Sequence, residues 1–326
     1  MPPGLARVDV VGVGLNATDT IIRLPHFPAF DSKVQLLSAD VKPGGQVASA
    51  MVACQSWGLR TRYVGKLGDD AAARFQEEEL SRAGIEHHLL RISNCSSQIA
   101  FILVDEATGE RTILWKRDAR LKIRAEELNH GWIVNARALL IDGHDMEAAT
   151  HAARLAREAG IPVIADLDNL YDGVQVLLEC VDYLMASHDF PARLTGQSDL
   201  LESLPVMARR YGCRVAGATL GRQGAIAWDG HRFIYCPGFQ VKAMDATGAG
   251  DIFHGGLVYG LLRGWPIERI LEFSCAAAAL NCEAIGARGG IRPVAEIERL
   301  MRDGARHEPA FEAQQLKRHG IHPNLK

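Results

Sequence analysis

A chain of 326 residues, 48% hydrophobic and 23% charged, has the composition of a globular protein with a sizeable core. A formal net charge of -3 gives no reason to expect nucleic acid or an anionic membrane as a partner, so the binding target should be a small molecule. Seven cysteines form no CxxC pair, which indicates neither a zinc site nor a disulfide framework, and no apolar run reaches the roughly 18 to 20 residues of a membrane span. We therefore expect a cytoplasmic protein.

Short β-rich apolar segments alternate with longer helical patterns along most of the chain. This rhythm predicts an α/β fold with a doubly wound, mostly parallel sheet flanked by helices, and ligands at the carboxyl ends of the strands. After Gly248 the pattern is almost purely helical. The predicted strands, in chain order, cover residues 7–14, 62–68, 138–144, 161–168, 183–187 and 214–221, and the main predicted helices cover 45–57, 70–83, 146–159 and 200–211.

Two insertions interrupt this alternation, at approximately residues 17–42 and 97–117. The first contains two prolines and alternates in polarity, and the second predicts a hairpin that turns at residues 107–110. Together they predict a small inserted β-sheet that acts as a lid on a single domain spanning residues 1–326. Exposed strand edges on the lid favour a homodimer through the lid strands, and residues 305–326 are expected to be a peripheral tail.

The segment GVGLNA, at residues 12–17, fits the dinucleotide-binding pattern G-x-G-x-x-A. That pattern requires a helix next, because the pyrophosphate rests on the helix N-terminus. The residues that follow are β-branched and interrupted twice by proline. A nicotinamide-dependent oxidoreductase is therefore disfavoured, and a comparison of NAD with ATP by thermal shift would discriminate the two.

The segment MDATGAGDIFHGG, at residues 244–256, predicts an anion cradle with a base beside it. Gly248, Ala249 and Gly250 have little or no side chain, so their backbone N–H groups can converge on an anion at the start of the following helix. Asp251, at the mouth of that helix, could accept a proton from an attacking hydroxyl. Since the ending G-K-[ST] is absent, the segment is not a Walker P-loop.

These residues carry a resemblance. DATGAGDIFHGG is similar to the C-terminal signature of the ribokinase/PfkB carbohydrate kinases, and GGQVASAMVACQSWG, at residues 44–58, resembles their N-terminal signature. SSQIAFILVD, GERTIL and DIFHG further resemble the ketohexokinase and sulfofructose kinase branch. The resemblance implies transfer of the γ-phosphoryl group of ATP, with Mg²⁺, to a sugar hydroxyl, usually a primary one. Asp251 would be the general base and the N–H groups of residues 248–250 the anion hole.

On the sugar side, the resemblance implies that Asp19 binds sugar hydroxyls and that Gly44 and Gly45 lie against the sugar. Gln46 and Ser49 occupy the two positions at which the family pattern has Asn. Both side chains can hydrogen-bond hydroxyls, but they change the usual sugar contacts.

On the nucleotide side, ATLGRQGAIAWDG resembles the family's strand and glycine turn that flank ATP, and NCEAIGARGGI, at residues 281–291, lies where the family closes over adenine. A K⁺ ion held by backbone carbonyls is common in that region of the family. The nucleotide-binding residues implied by the resemblance are Ser187, Thr219, Gly221, Gly224, Thr247 and Asn281.

The family's N-x-x-E pair, which organises Mg²⁺, is replaced here by Ser187 and Phe190. Ketohexokinases and sulfofructose kinases resemble this chain in lacking that pair. Asp189 is the nearest remaining acid, and an exposed acid that begins a helix is an equally good interpretation of it. Asp245 and Thr247 stand on the side expected for a monovalent cation.

Arg111 matches an arginine that those branches place near the transferred phosphate, where a cation on a lid could neutralise transition-state charge. The basic residues that follow it in GERTILWKRDARLKIR are typical of a solvated face, but the segment also resembles 2-keto-3-deoxygluconate kinases, whose substrate is a carboxylate. His254, three residues after Asp251, lies on the same helix face and could contact the site, although such a residue usually packs.

We therefore predict an ATP-dependent kinase of a ketose-type sugar. One alternative is a kinase of an acidic or anionic sugar, such as 2-keto-3-deoxygluconate or sulfofructose. Another is a non-catalytic sugar-binding or regulatory protein on the same fold, which the missing N-x-x-E pair would favour and the intact G-A-G-D opposes.

Overall fold

A nine-stranded sheet forms the centre of the molecule. The structure is a computed structural model that describes residues 5–108, 111–311 and 319–321. The strands of this sheet are β1 Val10–Val13, β4 Thr61–Leu67, β5 Glu86–Arg91, β8 Ala138–Asp142, β9 Val163–Leu167, β10 Tyr183–Ser187, β11 Val215–Thr219, β12 Ala225–Trp228 and β13 Phe233–Cys236. Their spatial order is β13-β12-β11-β10-β9-β8-β1-β4-β5, and all neighbours are parallel except in the antiparallel run β11-β12-β13. The predicted doubly wound, mostly parallel sheet is confirmed.

A separate four-stranded sheet comprises β2 Ala17–Leu24, β3 Ser38–Gly44, β6 Ile99–Asp105 and β7 Arg111–Lys116, in the order β3-β2-β6-β7. Its strands come from the two predicted insertions, so the small second sheet is also confirmed. The hairpin β6-β7 forms as predicted, although residues 109 and 110 of its turn lie outside the described residues. We call this sheet the lid.

Helices cover both faces of the central sheet. Adjacent residues of β1 divide between the two sides, because Val10 packs with one apolar cluster and Val11 and Val13 with the other. The helices are α1 Gln46–Ser56, α2 Ala71–Arg82, α3 His130–Val134, α4 Met146–Glu158, α5 Val174–Leu178, α6 Phe190–Thr195, α7 Leu200–Tyr211, α8 Ala249–Leu262, α9 Ile267–Asn281 and α10 Val294–Asp303.

Three strands were not predicted, β5 and the antiparallel pair β12-β13. The sequence EHHLLR of β5 lacks an apolar run because this strand lies at the sheet edge and is only half-buried. The helical pattern expected after Gly248 is confirmed by α8, α9 and α10. Of the predicted tail, residues 312–318 and 322–326 lie outside the described residues.

Candidate active site

The loop before α8 brings a helix N-terminus to the carboxyl end of the sheet. Gly248 caps the helix with φ of 76°, and a Cβ at this position would lie 2.4 Å from the carbonyl oxygen of Ala287. Only glycine therefore fits this left-handed, tightly packed position. The amide of Ala249 donates to the carbonyl of Ala246 at 3.3 Å, whereas the amides of Gly248 and Gly250 donate to no acceptor in the described part of the chain. The unpaired N–H groups of Gly248 and Gly250 are therefore available to donate hydrogen bonds to an anion.

Asp251 lies in the first turn of α8. Burial raises the pKa of its carboxyl to about 7, nearby Asp166 raises it further, and His254 opposes the shift. No described residue donates a hydrogen bond to this carboxylate. A carboxylate with a pKa near 7 and no protein donor is suited to accept a proton at neutral pH.

Asp19 projects from the lid strand β2 over the end of β3. A Cβ on Gly44 would lie 1.9 Å from Oδ2 of Asp19, so a glycine is required beneath this carboxylate. Burial raises the pKa of Asp19 to about 6, and Arg288 opposes the shift. The lid thereby contributes a buried acid to the cleft.

Polar atoms around Asp19 lack protein partners. Nδ2 of Asn16 and Oε1 of Gln46 are buried without a hydrogen bond among the described residues. Native structures leave few such atoms unpaired, and a ligand that supplies the missing partner is one explanation.

Arg288 joins these groups. Its Nη2 donates to the carbonyl oxygen of Gly44 at 2.7 Å and to Oδ1 of Asn16 at 3.3 Å, and its Nε donates to Oγ of Ser49 at 3.2 Å. Burial lowers the pKa of the guanidinium to about 10, while Asp251 and Asp19 oppose the shift. Arg288 therefore remains charged at neutral pH and ties the loop after α9 to the start of α1.

His254 lies beneath Asp251 and is buried. Its Nδ1 lies 2.8 Å from the carbonyl oxygen of Gly250 and 3.3 Å from Oδ2 of Asp166, and its Nε2 lies 2.9 Å from the carbonyl oxygen of Met185. These contacts fasten the first turn of α8 to the ends of β9 and β10. The helical turn that carries Asp251 is thus held in place by the side chain of His254, one turn further along α8.

A cavity of about 510 Å³ opens on the other side of the α8 N-terminus. Small and apolar residues form most of its wall, and Arg111 reaches it from the lid. The cavity brings together six residues predicted for ATP or phosphate: Arg111, Thr219, Gly221, Gly224, Ala249 and Gly250.

Other predicted nucleotide residues hold the backbone of the site. Asn281 donates to the carbonyls of Ala287 and Thr247 at 3.1 and 3.4 Å and accepts from the amide of Gly290 at 3.1 Å. Asp245 accepts from the amides of Thr247 and Gly286, both at 2.8 Å. These two side chains join the loop before α8 to the loop after α9, whereas Oγ1 of Thr247 is buried without a partner in the described structure.

Ser187 is the last residue of β10 and Asp189 lies two residues beyond it, and neither lines the cavity described above. Oγ of Ser187 lies 3.2 Å from Oδ1 of Asp189, and Oδ2 of Asp189 pairs with Nη1 of Arg193 at 3.2 Å. Within the described ranges, no three His, Cys, Asp or Glu side chains converge in a way that could hold a metal ion. An ion held by ATP phosphates with few protein ligands is compatible with this, because Mg²⁺ commonly keeps water and phosphate ligands.

Asn16, Asp166 and Arg288 were not among the residues predicted from the sequence. Asp166 ends a buried strand, so the rule that ligands bind at the carboxyl ends of strands could have identified it. Arg288 lies in the stretch assigned to the nucleotide side, and only the folded chain brings it to Ser49, 239 positions away.

A carboxylate at a helix N-terminus with N–H groups unpaired among the described residues, between a polar cleft and an apolar cavity, suits a phosphotransferase that acts on an alcohol group. Residues 8–293 match the PfkB family of carbohydrate kinases, and the chain belongs to that family. The family predicted from the sequence is confirmed. No helix in the described part of the chain has both the length and the apolar character to cross a bilayer.

Two relatives are similar along most of their length. A 5-dehydro-2-deoxygluconokinase of Geobacillus thermodenitrificans is 26% identical over 283 residues, covering 79% of this chain and 83% of the relative. An ATP-dependent ribose-1-phosphate kinase of Halopiger xanaduensis is 27% identical over 287 residues, covering 86% and 94%. The solved structure of Arabidopsis thaliana ribokinase, complexed with ribose and ATP, superposes with a TM-score of 0.75 at 20% identity, covering 91% of this chain and 99% of that one. The last likeness supports the fold alone.

Proposed function

We propose that this protein transfers the γ-phosphoryl group of ATP to a hydroxyl, primary in most of its family, of a ketose-type sugar. The observation that carries this proposal is Asp251, a carboxylate with pKa near 7 and no donor among the described residues. It stands in the first turn of α8, next to the N–H groups of residues 248 and 250. A protein that only bound sugar would have no need for a base at an anion site.

In the proposed reaction, the sugar lies between Asp19 on the lid and the residues at the start of α1. The sugar hydroxyl oxygen forms a bond to the γ-phosphorus, its proton passes to Asp251, and the bond from phosphorus to the β,γ-bridging oxygen breaks. The products are a sugar phosphate, ADP and the proton held by Asp251. Backbone N–H groups at the α8 start and Arg111 on the lid stabilise the charge of the transferred group.

ATP is proposed to occupy the cavity lined by Thr219, Gly221 and Gly224, with its phosphates toward Gly250. A Mg²⁺ ion bound to those phosphates would supply charge neutralisation of the leaving group. Asp189 is the proposed acid nearest to that ion, and the loops of Asp245 and Thr247 are the proposed monovalent-cation side, with K⁺ as its ion.

An anionic sugar is a second candidate acceptor. One relative is named for a derivative of gluconate, which is a sugar acid, and another for ribose 1-phosphate. Both names therefore describe acceptors with a negative charge.

We also propose a homodimer through the lid, whose outer face carries exposed Val41, Phe101 and Leu114 in one cross-strand row.

The test is ADP release with ATP, Mg²⁺ and a panel of sugars, measured for the native protein and for Asp251→Asn. We expect one class of sugar to stimulate release, and Asp251→Asn to lower kcat by roughly 10² to 10⁴ with sugar binding retained, as for a lost general base. Near-normal turnover in Asp251→Asn would remove this residue from the mechanism. Sugar binding without any stimulated release would instead identify a non-catalytic sugar-binding protein.

A further inference from the structure

Arg288 carries a charge that the described protein does not neutralise at contact distance. Its three hydrogen bonds reach a carbonyl, an amide oxygen and a hydroxyl, all uncharged. None of the ion pairs within 4.0 Å among the described residues includes Arg288, and the charges of Asp251, Asp19 and Glu79 act on it from further away. Arg288 is half-buried, and removing part of an ion from water costs free energy that a close counter-ion offsets.

One edge of the guanidinium is open to a ligand. Nε and Nη2 make all three hydrogen bonds, whereas Nη1 donates to no described residue. Nη1 is also absent from the buried polar atoms that lack a partner, so this nitrogen is accessible to solvent. The open edge is on the side chain that already bonds Gly44 and Ser49, where the sugar is proposed to lie.

The small side chain of Ser49 makes this arrangement possible. The N-terminal signature that this chain resembles has Asn at position 49, whereas a serine hydroxyl here accepts the hydrogen bond of Arg288. The guanidinium of Arg288, with Nη1 free of acceptors among the described residues, therefore lies beside position 49, where the family signature would place the uncharged amide of an asparagine. Lys42 of β3 lies directly opposite Asp19 of β2 in the register of the two strands, so both side chains are on the same face of the lid. Lys42 therefore adds a second positive charge to this end of the cleft.

We propose that Arg288 binds the carboxylate of a sugar acid and so makes this protein selective for acidic sugars. This inference rests on the proposed function and names the substrate class of the same site. A carboxylate, with one negative charge, is favoured over a phosphate because the nearby Asp19 and Asp251 disfavour a second negative charge.

The experiment compares matched acceptors in the native protein, Arg288→Met and Arg288→Lys. The acceptors are 2-keto-3-deoxygluconate and 5-dehydro-2-deoxygluconate as acids, fructose as a neutral sugar and ribose 1-phosphate as a phosphate ester. We expect kcat/KM to be highest for an acid. Arg288→Met should raise KM for that acid about 100-fold, the usual order for one truncated partner of a charge pair, and raise KM for fructose by a smaller factor. Both acceptors lose the positioning hydrogen bonds to Gly44, Asn16 and Ser49, but only the acid loses its counter-ion. Arg288→Lys should recover part of the loss.

Arg82→Met is the matched control, because Arg82 is an exposed arginine on α2 near the base of Arg288 and pairs with Glu79. It should leave KM for every acceptor unchanged. Thermal unfolding of each variant separates a loss of folding from a loss of binding.

Equal losses for acid and fructose in Arg288→Met, or a native preference for fructose, would overturn the inference and leave the kinase proposal intact. Preference for ribose 1-phosphate would overturn the carboxylate assignment. If no acceptor stimulates ADP release, calorimetric titration of the acids without ATP still decides: binding that requires Arg288 supports the inference although the kinase proposal has failed, and absence of acid binding rejects it.

Discussion

The two sides of the α8 N-terminus differ in polarity. The cleft beneath the lid is polar, with buried acids, a charged guanidinium and unpaired amide atoms. The cavity on the other side is mostly apolar and lined by small residues. Directional hydrogen bonds and charge discriminate strongly between similar sugars, whereas an apolar cavity selects mainly by shape and size. Substrate specificity should therefore depend on the cleft, and nucleotide affinity on the shape of the cavity.

The largest change in KM is expected from a substitution in the cleft. In Gly44→Ala the added Cβ would overlap Oδ2 of Asp19, so the carboxylate must move. We expect KM for the sugar to rise about 100-fold, as a site built to hydrogen-bond hydroxyls loses strongly when misplaced. KM for ATP should stay within about twofold. Steady-state kinetics with each substrate varied in turn gives both values, and a matching rise in KM for ATP would contradict the separation of the two sides.

The cavity side should respond to size. Ala279 on α9 lines the cavity, and Ala279→Leu would fill part of it. We expect KM for ATP to rise about tenfold, the order of a 1 to 3 kcal/mol steric penalty, with KM for the sugar unchanged. Ala279→Gly, which removes only a methyl group from the wall, serves as the control and should bind ATP nearly as the native protein does.

The pH dependence tests the acid that stands between the two sides. Burial and Asp166 raise the pKa of Asp251 to about 7, and the proton acceptor must be ionised to act. kcat should therefore be constant above about pH 8 and fall about tenfold per unit below pH 7. A profile of kcat from pH 5 to 9 at saturating ATP and sugar measures this. A rate that stays flat down to pH 5 would mean that a group with an ordinary carboxyl pKa accepts the proton.

The smallest effect is on stability. The pKa of Asp251 is raised in the folded protein, so the fold binds this proton more tightly than the unfolded chain does between about pH 4 and 7. Stability contributed by that proton is present at low pH and is lost as pH rises through 7. Asp251→Asn removes the buried charge, and its Tm should exceed that of the native protein by more at pH 8 than at pH 5. Calorimetry at the two pH values checks the difference, which a purely structural role for Asp251 would not produce.

Local sequence was sufficient for much of the fold. Buried parallel strands such as β8, ALLID, form unbroken apolar runs, and the glycines of residues 248–250 mark a helix start cleared of side chains. Edge strand β5 was missed because a half-buried strand needs no apolar run. The predicted residues Arg111, Thr219 and Gly250 do meet at one cavity. Thr219 ends β11 and Gly250 lies in the first turn of α8, at one edge of the central sheet, whereas Arg111 reaches the cavity from the start of lid strand β7.

The sequence by itself determined the α/β alternation, the lid and the glycine-rich start of α8, because each depends on residues close together in the chain. Tertiary structure alone decided how the charges are arranged. Arg288 meets Ser49 and Gly44 across more than 230 positions, and Asp166 meets His254 only where α8 crosses the ends of β9 and β10. Burial, which sets the pKa of Asp251 and the need of Arg288 for a counter-ion, is a property of the packed molecule and is not encoded in any local pattern.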